Sequence, residues 1–280
     1  MRTLRDAILE ITSTLKQARV DNPRLDARIL VAHVLNADTA VTFLRNDMPL
    51  TEAQNALLEQ LVQRRIAREP VSRIIGQREF WGLPFDVTPA TLDPRADTEV
   101  LVSAVIDHKH RYKSAPRILD LGTGTGCIML ALLHAIPDAT GVAIDQSEEA
   151  LRVARRNAMK NNLDTRVQFA RMSWAEALSG PFDIVVSNPP YLNADDMAQL
   201  SPEVRYDPER ALFGGPDGLE CYRAIISDLR RVAQSPGLLA LEVGLGQAGQ
   251  VAALLEDAAF RVVEIRSDLA AIPRCLVAEI

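Results

Sequence analysis

The stretch "RILDLGTGTGC", residues 117–127, decides the fold. Ile118, Leu119 and Leu121 form a short apolar strand with Asp120 set among them. It passes without a spacer into Gly122, Thr123, Gly124, Thr125 and Gly126, and then into the helix-length apolar run "CIMLALLHAI". Strand, glycine turn and helix in direct succession open a βαβ unit. Glycine lets the chain turn tightly and lets a ligand approach without meeting a Cβ. The loop is therefore a cradle at the carboxyl end of a strand, where open α/β sheets bind ligands.

Outward from this stretch, the same alternation continues. Apolar strands are expected at Arg117–Leu121, Thr140–Ile144, Val167–Ala170, Asp183–Val186, Leu238–Val243, Arg261–Ile265 and Cys275–Ile280. Helical stretches such as "TEVLVSAVIDHKH", "EEALRVARRNAMKN" and "AGQVAALLEDAAF" separate most of them. This predicts a Rossmann-like α/β domain over residues 98–280, with a seven-stranded, mostly parallel sheet and helices on both faces.

Residues 1–70 read differently. Leu4, Ile8, Ile11 and Leu15 share one helical face. Asn22 and Pro23 open a second helix. Thr51 opens another, carrying the stripe Leu58, Leu61, Val62 and Ile66. A small helical bundle results, and His33, within an apolar helix, is expected to be a core histidine. "RIIGQREFWGLPFDVTP" (73–89) surrounds Gly82 and Pro84 with aromatics and β-branched residues, and reads as a β-hairpin. Residues 71–97 are accordingly taken as a hairpin linker between the domains.

Of 280 residues, 48% are hydrophobic and 24% charged, the proportions of a globular protein. No apolar run approaches the roughly 20 residues of a membrane span. The N-terminus mixes acids with bases, so no signal or transit peptide is expected. Cys127, Cys221 and Cys275 are odd in number and far apart, fitting neither a disulfide framework nor a zinc site. A cytoplasmic protein without metal, its cysteines reduced and buried, is expected. The net charge is −6: residues 1–90 carry 12 Lys+Arg against 11 Asp+Glu, leaving 19 against 26 in the remainder. Neither part is the basic platform of a protein that grips a nucleic-acid backbone, so no nucleic-acid partner is expected.

Two further elements define the chemistry. Asp145 ends the strand "GVAID", 19 residues beyond Gly126, where a carboxylate can accept both hydroxyls of a ribose. Cradle and acid together are compatible with a dinucleotide or with S-adenosylmethionine, but the dinucleotide fingerprint places its third glycine one residue later, where Cys127 stands. Asp120 can order the loop or receive an ammonium group. The second element is "SNPPY", 187–191, at the end of another strand. Two prolines remove two backbone donors and stiffen the chain where an amide and an aromatic ring are mounted. An amide nitrogen is a poor nucleophile because its lone pair is delocalised. If the Asn188 side-chain oxygen and the Pro189 carbonyl each accept one N–H of a substrate –NH2, positioning supplies the catalysis without a strong base. Pro190 fixes carbonyl directions, and Tyr191 can stack on the flat target.

"DLGTGTG", "AID" and "SNPPY" together resemble the class I methyltransferases that act on exocyclic or amide nitrogens. "REFWGLPFDVTPATLDPRADTEVLV", "SNPPYLN" and "ALFGGPDGLECYRAII" further resemble the protein-(glutamine-N5) methyltransferases of bacterial peptide chain release factors, the PrmC or HemK family, over essentially the whole chain. The resemblance implies S-adenosyl-L-methionine as cofactor and S-adenosyl-L-homocysteine as product. It implies cofactor contacts from Gly122 to Gly126, Asp145 on the ribose, Trp174 at the adenine and Asn188 beside the sulfonium methyl. It also implies that Asn188, Pro189, Pro190 and Tyr191 hold the glutamine of a Gly-Gly-Gln tripeptide, and that the N-terminal helices help recognise the release factor.

Several residues depart from the family pattern: Ala96 for a proline, Asp93 for an apolar residue, Ser173 for an acid, and "DLAAIPRC" without the glycine common after "DLA". Asp93 is read as surface drift or as a change in how its loop closes over the site. Two rival readings are a DNA adenine-N6 methyltransferase, which presents the same planar –NH2 but must flip its base and grip phosphates, and a cofactor-binding protein without catalysis.

Overall fold

A computed structural model describes residues 2–280. The chain divides into two compact units, Met1–Gly76 with Ser201–Tyr206, and Gln77–Leu200 with Asp207–Ile280.

The first unit is helical: α1 (Leu4–Gln17), α2 (Pro23–Val34), α3 (Val41–Leu44), α4 (Glu52–Ile66) and α5 (Val71–Ile75). Thr3 and Thr51 each close a reciprocal capping box, satisfying the donors that open α1 and α4. The expected stripes are the core, with Leu4, Leu15, Leu30 and Leu58 fully buried. His33 is not part of it. Leu30, Val31 and Ala32 turn inward, leaving His33 exposed on the opposite face of α2. The unit also runs past residue 70, because Pro70 caps α5 and Gly76, at φ 74°, ends it. Segment 201–206 joins it through charge: Arg65, 5% exposed, meets Asp26 at 2.7 Å and Glu203 at 3.2 Å, while Arg68 meets Glu203 at 2.6 Å. Arg65 and Asp26, the two buried charges of this group of four, persist out of water because they pair with each other, with Glu203 and Arg68 extending the network toward the surface.

The second unit opens with the hairpin β1 (Gln77–Phe80) and β2 (Leu83–Asp86). Trp81 and Gly82, at φ 54° and 71°, make a turn with both central residues left-handed, the geometry whose twist matches paired strands. Rather than bridging as a linker, this hairpin belongs to the second unit. Phe80 and Phe85 pack edge to face in its core. Asn157 accepts from the Asp86 N–H at 2.7 Å and donates to the Asp86 carbonyl at 3.2 Å.

There follow α6 (Glu99–Asp107), β3 (Arg117–Leu121), α7 (Cys127–Ala135), β4 (Thr140–Asp145), α8 (Glu148–Lys160), β5 (Val167–Arg171) and β6 (Phe182–Ser187). After them come α9 (Ala194–Ala198), α10 (Glu220–Val232), β7 (Ala233–Glu242), α11 (Ala248–Asp257), β8 (Arg261–Ser267) and β9 (Pro273–Glu279). The sheet order is β5-β4-β3-β6-β7-β9-β8, parallel except for β9. β7 begins earlier than expected, because Ala233 already pairs with Phe182 before a register irregularity that resumes at Leu238. Two apolar clusters, one against each face, bury every residue of β6 and all but the first of β3. β4 and β6 flank β3 on opposite sides, so their carboxyl ends open a crevice where the winding reverses.

Candidate active site

The glycine loop is tied to the end of β4. Gly122 and Thr123 donate to the Ile144 carbonyl at 3.0 and 2.8 Å, and the Gly124 N–H donates to Asp145 Oδ2 at 2.9 Å. The other oxygen of Asp145 accepts from the Ser147 N–H at 2.9 Å. A carboxylate offers about four lone-pair positions, so two such bonds leave capacity for ligand hydroxyls. A Cβ built on Gly124 would meet nothing within 4 Å, so its backbone lies open to a ligand. Asp120 has the loop-ordering role: it is fully buried, accepts from the Thr123 hydroxyl at 2.6 Å and does not line the cavity. Burial pushes its carboxyl up to about 7.

Across the crevice, the Ser187 hydroxyl donates to the Leu121 carbonyl at 2.7 Å, locking the end of β6 to β3. Asn188 follows, half-buried, with Nδ2 donating to Thr98 Oγ1 at 3.2 Å. The Pro-Pro-Tyr segment is seated on glycines. A Cβ on Gly214 would lie 2.6 Å from the Pro190 carbonyl oxygen and 2.7 Å from Tyr191 Cα, and one on Gly218 would strike the Tyr191 carbonyl. Gly214 N–H donates to the Leu192 carbonyl at 2.8 Å, and Gln247 Nε2 donates to the Tyr191 carbonyl at 2.8 Å. "GGPDGL" thus supports the loop after β6.

A cavity of about 380 Å³ lies between these loops. Gly122, Thr123, Gly124, Thr125, Asp145, Trp174, Asn188 and Pro190 share its wall. Trp174, at φ 46°, holds its ring over Gly122, a left-handed conformation of the kind that persists where surroundings over-determine it. Three expected residues lie elsewhere. Gly126 caps α7 and faces Ala154 and Leu130, so its missing Cβ serves helix packing. Pro189 is buried behind the wall. The Tyr191 ring packs against the core beside Gly244 rather than into the cavity, and burial raises its phenol to about 12.

Other wall residues lacked an assigned role, among them Thr98, Gln146, Arg210 and Phe213. Asp93 is no surface drift. It is 2% exposed, its N–H donates to Asp207 Oδ1 at 3.1 Å, and Asp207 pairs with Arg95 on the cavity rim. Ala96 is exposed in a single 3-10 turn, so the missing proline removes no packing. Ala271, which stands where glycine is common, has φ 60°, the left-handed region glycine favours.

The family model described as the PrmC N-terminal domain matches residues 6–76, and that of the methyltransferase small domain matches residues 91–203. A release factor glutamine methyltransferase of Rhodospirillum rubrum is 48% identical over 265 residues, covering 94% of this chain and 81% of that protein. One of Bradyrhizobium diazoefficiens is 44% identical over 281 residues, covering 99% and 95%. The chain belongs to the release factor glutamine methyltransferase family. A methyltransferase from Pyrococcus furiosus, 19% identical, shares the fold with a TM-score of 0.53 over 80% of this chain and 98% of that one. For a member of this family the cofactor is S-adenosyl-L-methionine, and the residues present fit it: an open backbone cradle, a carboxylate with spare acceptor capacity and an indole on one wall. Among the described residues no cluster of metal-ligating side chains occurs, and no helix is long and apolar enough to cross a membrane.

Proposed function

We propose that this chain transfers a methyl group to the side-chain nitrogen of the glutamine in the Gly-Gly-Gln tripeptide of a class 1 peptide chain release factor. The observation that carries the reading is Asn188, held at the mouth of β6 on the same cavity wall as Gly122–Thr125 and Asp145. When bound, S-adenosylmethionine supplies an electrophilic methyl. Gly122, Thr123, Gly124, Thr125 and Asp145 would hold its polar groups and Trp174 its adenine. Asn188 Oδ1, with Nδ2 already committed to Thr98, would accept one N–H of the glutamine amide, and the Pro189 carbonyl, off the cavity wall in this structure, would accept the other once the loop turns it inward. Both acceptors strengthen as the nitrogen gains positive character, so they favour the transition state over the bound substrate.

The helical unit, residues 1–76 with 201–206, would recognise the release factor. Its exposed Phe43 and Leu44 are suited to meeting a protein partner. The compartment of such a reaction is the cytoplasm.

The test is incubation with methyl-labelled S-adenosylmethionine and either a purified release factor or unmethylated duplex DNA. Label should enter the factor and vanish when its Gly-Gly-Gln glutamine is replaced. Label in DNA alone would favour an adenine-N6 methyltransferase, and no transfer to either would favour a binding protein.

A further inference from the structure

β7 brings an acid to the site that lies outside the cavity wall. Ser187 pairs with Leu241, so Glu242 stands beside Asn188 at the neighbouring strand end. Glu242 is 3% exposed and Thr98 2%. The Thr98 hydroxyl and the Asn188 amide both favour the ionised form of the Glu242 carboxyl beside them, and Asn188 Nδ2 donates to Thr98 Oγ1 at 3.2 Å. Glu242 Oε2 has no hydrogen-bond partner among the described residues. A buried acid is costly, and nothing about ending a strand requires one.

We propose that Glu242 is a positioning residue: its carboxylate, directly and through Thr98, keeps the Asn188 amide turned with Nδ2 toward the protein and Oδ1 toward the cavity. This rests on the reading of Asn188 as the group that grips the substrate amide. The argument is one of donors and acceptors. An ionised carboxylate only accepts, so Thr98 must give it the hydroxyl proton and Asn188 must present its –NH2. The amide oxygen is then left for the substrate N–H. A protonated Glu242 can instead donate to Asn188 Oδ1. The amide then turns over and presents –NH2 to another –NH2, and the grip is lost.

The charged and titratable surroundings favour a switch near neutrality. Burial raises the Glu242 carboxyl to about 7, against the hydrogen bond from Thr98 and the pull of Arg274. Arg274, on β9, is itself shared between Asp97 at 3.0 Å and Asp268 at 2.9 Å. Asp97 raises the acid further. Tyr191 after β6, Tyr222 on α10, Cys127 on α7 and Cys275 on β9 also face Glu242, and burial raises all four above their ordinary values. They therefore stay neutral while Glu242 ionises. A raised carboxyl is ionised only above its folded value, so activity should rise with pH through a limb near neutral.

The experiment compares wild type, Glu242→Gln and Glu242→Asp, measuring single-turnover rate against pH and S-adenosylmethionine affinity by calorimetry. Glutamine at 242 both donates and accepts, so it tolerates either orientation of Asn188. The expected result is a rate loss on the order of 10-fold, a neutral limb reduced to the part set by Asp120, whose carboxyl also titrates at about 7, cofactor affinity near wild type, and partial recovery of rate and limb in Glu242→Asp. A merely structural acid would lower the melting temperature without moving the limb. Wild-type rate with an unchanged limb in Glu242→Gln overturns the inference. Should that variant fail to fold, Thr98→Val removes the bridging hydroxyl at nearly constant volume, and a wild-type rate there overturns it equally. Asn188→Ala separates the two levels: if it loses activity while Glu242→Gln does not, only the inference fails. If Asn188→Ala keeps wild-type activity, the reading of the site fails and takes the inference with it.

Discussion

Replacing Gly214 with alanine adds one methyl group, and the structure says where it must go. The new Cβ would lie 2.6 Å from the Pro190 carbonyl oxygen, 2.7 Å from Tyr191 Cα and 3.0 Å from the Gly218 carbonyl oxygen. All three are backbone atoms, so no side chain can swing aside. Ordinary contact begins at 3.4 Å, so the loop after β6 has to retreat by about 0.8 Å at the Pro190 carbonyl oxygen. Gly214 does not have positive φ, which leaves displacement as the whole effect. Asn188 is two residues upstream of Pro190, and a misplacement near 1 Å costs about 100-fold in rate. A fall in kcat of roughly 30- to 100-fold is therefore expected, with overpacking lowering stability by about 1–3 kcal/mol. Cofactor affinity should hardly change, since Gly122–Thr125 and Asp145 sit at other strand ends. The assay is single-turnover methyl transfer to a release factor, with calorimetry for the cofactor and circular dichroism for folding. Gly249→Ala is the control: it lies in α11, its Cβ would meet nothing within 4 Å, and it should leave the rate unchanged. A folded Gly214→Ala protein with kcat within about threefold of wild type would refute the claim that close approach sets the position of Asn188.

Two other substitutions probe separate links. Asp145→Ala removes the acceptor of the Gly124 and Ser147 N–H groups and the carboxylate expected at the ribose, so S-adenosylmethionine affinity should fall about 10- to 100-fold by calorimetry, the scale of charge-assisted bonds. Ala271→Gly relieves a left-handed alanine at a cost in chain entropy, and urea denaturation should show a net gain of about 0.5–1 kcal/mol with unchanged activity.

What could be read from the sequence was what local chemistry dictates. Gly122–Gly126 and the apolar periodicities stated the sheet, its cradle and the helical stripes, because backbone freedom and side-chain spacing are local properties. Functions that depend on distant partners were hidden. Gly126 looks like its neighbours in sequence, yet it faces Ala154 on α8 while Gly124 faces open space. "GGPDGL" gave no hint that its glycines seat Pro190 and Tyr191. Glu203 gives no local sign that it pairs with Arg65, 138 residues away. Glu242 reads as an ordinary polar strand end until the sheet order places β7 beside β6. An apolar stretch of helix has two faces and only the tertiary fold decides which is covered, so His33 lies on the exposed face of α2 and not in the core.

The most direct test of the account is a structure of the protein with S-adenosylhomocysteine and a peptide containing Gly-Gly-Gln. Asn188 Oδ1 should lie about 2.9 Å from the glutamine side-chain nitrogen, a normal hydrogen bond, with Nδ2 still on Thr98 and the homocysteine sulfur facing that nitrogen. A glutamine held by other residues, with the Asn188 amide turned away from it, would contradict the account.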